Sequence, residues 1–124
     1  MAIPAVIEAY IAAYNARDID RMLDCLAEDV VFRNLSAGQV TAEAIGKPSF
    51  AQMAHAGAAA FTTRRQVVRH AITVADTTLV EIDYTATVAA DLPNGWKAGQ
   101  NLAFAGASLF RVRSGQILEI IDQS

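Results

Sequence analysis

Leu79-Val80-Glu81-Ile82-Asp83-Tyr84-Thr85-Ala86-Thr87-Val88-Ala89 is the stretch on which the architecture turns. Val80, Ile82, Tyr84, Ala86 and Val88 alternate with Glu81, Asp83, Thr85 and Thr87. A period of two belongs to an extended strand with one face on an apolar interior and the other toward water. Strands extend from it in both directions. Toward the C-terminus, Leu92-Pro93-Asn94-Gly95 marks a turn, and Leu102 to Arg113 and Gln116 to Asp122 read as two further strands. Toward the N-terminus, Asp76-Thr77-Thr78 turns the chain back into a strand over Arg65 to Val74. Inward parity in that strand falls on Val68, His70 and Ile72, with His70 expected as a hydrogen-bonded strand histidine.

The first half reads differently. Ile3, Val6, Ile7, Tyr10, Ile11 and Tyr14 form one apolar stripe at helical spacing, with Pro4 suited to the first turn. Asn15-Ala16-Arg17-Asp18 interrupts it, and Asp18 is a good N-cap for a second short helix with Ile19, Met22, Leu23 and Leu26 inward. Val30 to Phe32 reads as a short strand and Leu35 to Gly46 as a loop. Pro48 opens a third helix whose inner face is Phe50, Met53, Ala54, Gly57 and Phe61. Helices first and strands later predict an α+β domain with an antiparallel sheet.

The register of the last hairpin decides where Asp122 points. A two-residue loop, Ser114-Gly115, pairs Val112 with Ile117 and puts Asp122 on the face of Leu109 and Arg111. A three-residue loop with Gly115 left-handed pairs Val112 with Gln116 and puts Asp122 with Ser108, Phe110, Leu118 and Ile120. The second is preferred, because Arg113-Ser114 suits a type I turn and glycine suits the position after it.

With 124 residues the chain predicts one domain spanning 1–124, and 53% hydrophobic against 19% charged residues predicts a folded one. So apolar a chain calls for a ligand pocket, a subunit interface or both. A net charge of −3 gives no footprint for nucleic acid. Arg64, Arg65 and Arg69 are the densest basic spot, expected at a solvated strand edge. No apolar run is long enough to span a bilayer, and no signal peptide precedes the first helix, so no membrane partner and a cytoplasmic location are expected. Cys25 is the only cysteine and reads as a buried structural thiol. His55 falls mid-helix, facing solvent. Two histidines this far apart carry no metal signature, so neither a metal nor a cofactor is expected.

Ala13-Tyr14-Asn15-Ala16-Arg17-Asp18 and Leu26-Ala27-Glu28-Asp29-Val30-Val31-Phe32 resemble the opening of nuclear transport factor 2-like and SnoaL-like proteins. Ser108-Leu109-Phe110-Arg111-Val112 with Ser114-Gly115-Gln116-Ile117 resembles their closing hairpin. The resemblance covers nearly the whole chain. It implies a cone-shaped α+β barrel, with a curved antiparallel sheet wrapped around the N-terminal helices and enclosing an apolar pocket. It is much less specific for function, because this fold hosts isomerases, cyclases, dehydratases, hydrolases and non-catalytic binders. Against ketosteroid isomerase, the oxyanion tyrosine falls at Tyr10, but the general base falls at Asn34 and the protonated Asp donor near Ser108. Asparagine cannot act as that base. Against limonene epoxide hydrolase, the water-activating Asp falls at Asp122 and the water-holding Asn at Asn34. The partner Tyr is replaced by Phe32, and the Arg and Asp of the middle strand by Tyr84 and Ala86. SnoaL-like polyketide cyclases carry a late catalytic Asp, for which Asp122 is the counterpart.

Alternation independently places Tyr84, Ser108 and Asp122 on the pocket face, with Tyr10 and Tyr14 approaching from the first helix. Phe32, Ile82, Phe110 and Ile120 would supply the apolar walls. The expected constellation is Asp122 as base, Asn34 orienting a water or substrate, and Tyr84 donating to an oxyanion. Each residue also has a plainer reading. Asp122 would be a solvated chain end, Asn34 a turn cap, the tyrosines ordinary core, and Ser108 a packing residue. Trp96 would sit at the pocket mouth or on the surface. The outward residues Ala103, Ala105, Ala107 and Leu109 suit a flat self-contact, hence a homodimer. Three functions stay open: a cofactor-free acid–base enzyme on a hydrophobic small molecule, a non-catalytic binder of a hydrophobic ligand, and a dimeric interaction module.

Overall fold

The computed structural model describes residues 3–124. Three helices come from the first half of the chain: α1 (Ala5–Asn15), α2 (Ile19–Asp24) and α3 (Lys47–Ala59). Six strands, β1 (Leu26–Ser36), β2 (Gln39–Ile45), β3 (Phe61–Val74), β4 (Thr77–Val88), β5 (Asn101–Arg113) and β6 (Gln116–Gln123), form one sheet in the order β2-β1-β6-β5-β4-β3. The sheet curves around the helices without closing, so β2 and β3 remain as edges. It is mixed rather than antiparallel throughout, because β1 runs parallel to β6.

The local signals act as their chemistry requires. Pro4 sits just before α1, where its missing N–H costs nothing. Arg17 adopts a left-handed conformation (φ 55°) between the first two helices, and the Asp18 side chain accepts from the Arg21 N–H at 3.2 Å to cap α2. The core lies between the helices and the concave face of the sheet. Ile7 of α1, Phe50 of α3, Leu26 and Val30 of β1, Val80 of β4, Phe110 of β5 and Ile117 and Ile120 of β6 are at most 1% exposed. Cys25 is buried at the C-terminal cap of α2, as expected of a structural thiol.

Several boundaries depart from the sequence reading. The expected loop over Leu35–Gly46 is instead the end of β1, a tight turn at Ala37-Gly38, and strand β2. Leu26 opens β1 rather than closing α2, and Phe61 opens β3 rather than ending α3. The β3–β4 turn is Ala75-Asp76, with Val74 opposite Thr77. Arg69 is an extra residue in β3, between the pairs Val68↔Ile82 and His70↔Glu81. This bulge reverses the parity of everything after it, so His70 and Ile72 are exposed rather than inward. Arg64 lies on the inner side of that bulge and is only 6% exposed, contrary to the expected solvated edge.

The last hairpin also differs. Its loop is the two-residue Ser114-Gly115, both with positive φ (53° and 76°), and Val112 pairs with Ile117. That alone would turn Asp122 outward. However, the register shifts between Arg111↔Glu119 and Val112↔Ile117, leaving Leu118 as an extra residue. The bulge restores parity, and Ser108 faces Asp122 while Phe110 faces Ile120.

Candidate functional site

Asp122 forms part of a regular strand rather than a frayed end. It pairs with Ser108 on one side and Asn34 on the other, and Ser124 N–H donates to the Leu35 carbonyl beyond it. Its carboxylate is enclosed by protein, and the residue keeps accessible surface because two cavities open onto it. The Ser108 hydroxyl donates to Oδ1 at 2.6 Å. Burial pushes the carboxyl up to about 6, against a smaller lowering by that hydrogen bond. Such a group is ionised at neutral pH but within easy reach of its proton, which suits general acid–base work.

The smaller cavity, about 180 Å³, is lined by Asp122, Ser108, Asn34, Tyr14, Ile82 and Tyr84, with Phe61, Trp96 and Phe104 among its aromatic walls. Tyr84 stacks on Phe104 (centroids 4.9 Å apart, planes at 25°), and Trp96 lies 6.3 Å from the Phe61 ring. Trp96 thus helps to line the cavity. The Tyr14 hydroxyl donates to the Tyr84 hydroxyl at 3.1 Å, which leaves the Tyr84 proton free for another acceptor. Burial, with Tyr14 beside it, raises Tyr84 far above its ordinary value, so it remains a neutral O–H donor. The larger cavity, about 360 Å³, lies toward the helices. Tyr10, Tyr14, Phe32, Phe50, Arg64 and Asp122 all contribute to its wall. The Tyr10 ring packs edge-on against Phe110 at 5.8 Å, and burial raises its hydroxyl well above the usual range.

Of the expected constellation, Asp122, Asn34 and Tyr84 do line one cavity, but they are not hydrogen-bonded to each other. The Asn34 amide donates instead to the Thr41 hydroxyl at 2.8 Å and to the Ser124 hydroxyl at 3.3 Å. The direct partner of Asp122 is Ser108, which is therefore more than a packing residue. Tyr10, Tyr14, Phe32, Ile82 and Ser108 line one cavity or both. Phe110 and Ile120, expected as walls, are each 1% exposed and form the core behind them.

Arg64 and Gln66 were not anticipated at the site. Both share inward parity with Val68, so an arginine on the apolar side of a strand was the available signal. The Arg64 guanidinium lies 3.7 Å from the centre of the Tyr14 ring, and its Nε donates to the Tyr14 carbonyl at 3.1 Å. Gln66 is fixed by a reciprocal pair with Asn15, whose amide donates to the Gln66 carbonyl at 3.0 Å and whose Oδ1 accepts from the Gln66 N–H at 2.7 Å. Among the described residues no cluster of His, Cys, Asp and Glu is arranged to hold a metal ion.

Three helices against a curved, unclosed six-stranded sheet, with a cavity in the concavity, define the cone fold of the nuclear transport factor 2-like superfamily. Within it, the family model of the SnoaL-like domain matches residues 7–120, and the chain belongs to that family. Solved structures agree. A protein of ketosteroid isomerase-like fold from Catenulispora acidiphila, in complex with trimethylamine, has a TM-score of 0.81 at 18% identity, over 98% of this chain and 85% of that one. A protein from Xanthomonas campestris, named as a candidate polyketide cyclase, has a TM-score of 0.75 at 27% identity, over 96% of this chain and 87% of that one. Another of that name from Pseudomonas putida has a TM-score of 0.76 at 23% identity, over 98% and 90%. None of the curated proteins matches the chain. No helix among the described residues is long and apolar enough to cross a membrane.

Proposed function

We propose that this protein is a cofactor-free enzyme acting by general acid–base chemistry on a hydrophobic small molecule, with Asp122 as the proton-transferring group. The reaction would be of isomerase, cyclase, dehydratase or epoxide-hydrolase type. The observation that carries this reading is a carboxylate enclosed between two cavities, with burial lifting it to about 6. Ser108 holds Oδ1, so Oδ2 is the oxygen left to take a proton from a carbon acid or a water. Tyr84 supplies a neutral O–H donor in the same cavity, and Tyr14 orients it. The names of the Xanthomonas and Pseudomonas structures favour a cyclase.

Cyclic ketones and epoxides are the substrates to screen first. On any that turns over, kcat/KM should rise with pH through about 6 and then level, as the base ionises. Asp122→Asn should lower it by about a hundredfold or more. Unchanged turnover in that variant would remove the base from the mechanism.

A second reading, a non-catalytic binder of a hydrophobic ligand, is favoured by one observation. The Asn34 amide is engaged by Thr41 and Ser124 rather than left to hold a water against Asp122. Saturable binding of such ligands with no turnover by either form would support it. A cytoplasmic homodimer remains part of the proposal. Ala103, Ala105 and Leu79 are exposed on the outer sheet face, where contact with a second copy would cover them. Light scattering at micromolar concentration should give twice the 13.2 kDa chain mass, and a monomer would refute the dimer.

A further inference from the structure

We infer that the larger cavity is a carboxylate-binding pocket, in which a small flat apolar acid would place its anionic group on the Arg64 guanidinium. Arg64 is 94% buried and always charged. A buried cation is costly unless something offsets the lost hydration. The protein offers it the face of the Tyr14 ring, 3.7 Å away, but no counter-charge. Nε has one neutral acceptor, the Tyr14 carbonyl, and Nη2 has only the Met22 sulfur at 3.9 Å, a weak acceptor. Among the described residues no carboxylate pairs with it.

Arg64 lines the larger cavity, and Nη1 has no hydrogen-bond acceptor among the described residues. Gly57 of α3 lies beside Nη1, where a methyl group in place of its hydrogen would come to 3.8 Å, and it brings no polar side chain to that nitrogen. A planar fork of N–H donors matches the two oxygens of a carboxylate, and the apolar walls suit an organic acid rather than a phosphate. The remaining wall is apolar and largely aromatic, from Tyr10, Phe32, Phe50 and Met53. At about 360 Å³ the space is at the small end of ligand pockets, enough for one or two fused rings. Asp122 shares this wall. Its negative charge repels an anion, so the acid would sit with its carboxylate at Arg64 and its neutral end toward Asp122. The smaller cavity has no arginine in its lining and offers no such polarity.

The inference does not depend on catalysis and can be tested without turnover. Calorimetric titration of the wild-type protein with 2-naphthoate and with its neutral isostere 2-naphthamide, at pH 7.5, should show the acid binding about tenfold tighter or better. Arg64→Met should abolish that preference while leaving the amide's affinity near its wild-type value. Arg64→Lys, which keeps the charge and loses the fork, should retain part of it. Equal affinity for the two probes in the wild type, absence of binding by both, or a preference that survives Arg64→Met would overturn the inference. Should Arg64→Met fail to fold, the wild-type pair and Arg64→Lys still decide it.

Discussion

Two bulges of this sheet, one in β6 and one midway along β3, do opposite things to the cavity. In β6 the extra residue is Leu118, and beyond it the chain is shifted so that Ile120 and Asp122 face inward. In β3 the extra residue is Arg69, and beyond it His70 and Ile72 face outward. Arg69 then reaches the carboxylates of Glu81 and Asp83 on the outer face, at 3.4 and 3.6 Å. One bulge therefore brings a carboxylate into an apolar space, and the other keeps a histidine out of it. The lesson is that side-chain chemistry alone does not populate a cavity. Position relative to a bulge does.

Changing the residue count of β6 after its bulge should have the largest effect. Inserting one alanine between Glu119 and Ile120 would turn Ile120, 1% exposed, toward solvent together with Asp122. Denaturant unfolding should show a loss of about 3–5 kcal/mol, and carbon-detected NMR should find the Asp122 carboxyl back near its ordinary value. Deleting Leu118 itself would leave Arg111↔Glu119 and Val112↔Ile117 as adjacent rungs and keep Asp122 inward. Retained stability with a titration still near 6 in the insertion variant would mean that register does not set the orientation.

Asp122→Asn tests the electrostatic side of the same contrast. The folded-state value is raised from 3.8 to about 6, so the native state holds its proton more tightly than the unfolded chain. Stability should fall as pH rises from about 4 to about 6, and the full penalty persists above that. Asparagine has no charge to bury. The variant should gain about 1–3 kcal/mol at pH 7.5 and little at pH 3.5, measured as the difference between thermal melts at the two pH values.

Gly106→Ala should cost about 1–3 kcal/mol by chemical denaturation, since its methyl group would meet the Gln123 carbonyl oxygen at 2.9 Å, and a backbone atom cannot swing aside. A neutral result would show that β6 has freedom to move away from β5. His70→Ala sits at the small end. With the side chain outside the cavity, stability should change by less than about 0.5 kcal/mol and turnover not at all. A fall in turnover would place His70 in the mechanism and undo the contrast between the strands.

The sequence was most legible where burial is one-sided. Val80 to Val88 alternates cleanly because β4 is paired on both sides, between β5 and the edge strand β3, and has a wet outer face, and its inward set is the one found. The α1 stripe was readable for the same reason. Strand β2 was not legible, because it is an edge whose Val40 and Ile45 are exposed, so pairing with β1 rather than hydrophobic patterning makes it a strand. Bulges leave no mark in composition, which explains His70. The inward placement of Asp122 was anticipated through a different hairpin register. The expected three-residue loop and the observed two-residue loop plus bulge at Leu118 put Asp122 on the same face in registers two residues apart, and Ser108 opposes Asp122 where the expected loop would have set Ile120 against it. Arg64 was missed because an arginine in a basic triplet reads as surface, and only the apolar parity of Val68 four residues on argued otherwise. The tie between Asn34, Thr41 and Ser124 depended on β2 and was out of reach without it.

The far end of β6 has a practical consequence for anyone handling the protein. Ser124 donates its N–H to Leu35, exchanges hydroxyl contacts with the Asn34 amide, and lines the smaller cavity. A fusion tag attached after it would leave the fold at the rim of that cavity, where it could screen incoming molecules and blunt an activity assay. The same address suits a reporter. A solvent-sensitive dye joined to a cysteine appended there would sit at the doorway and signal occupancy by its change in brightness.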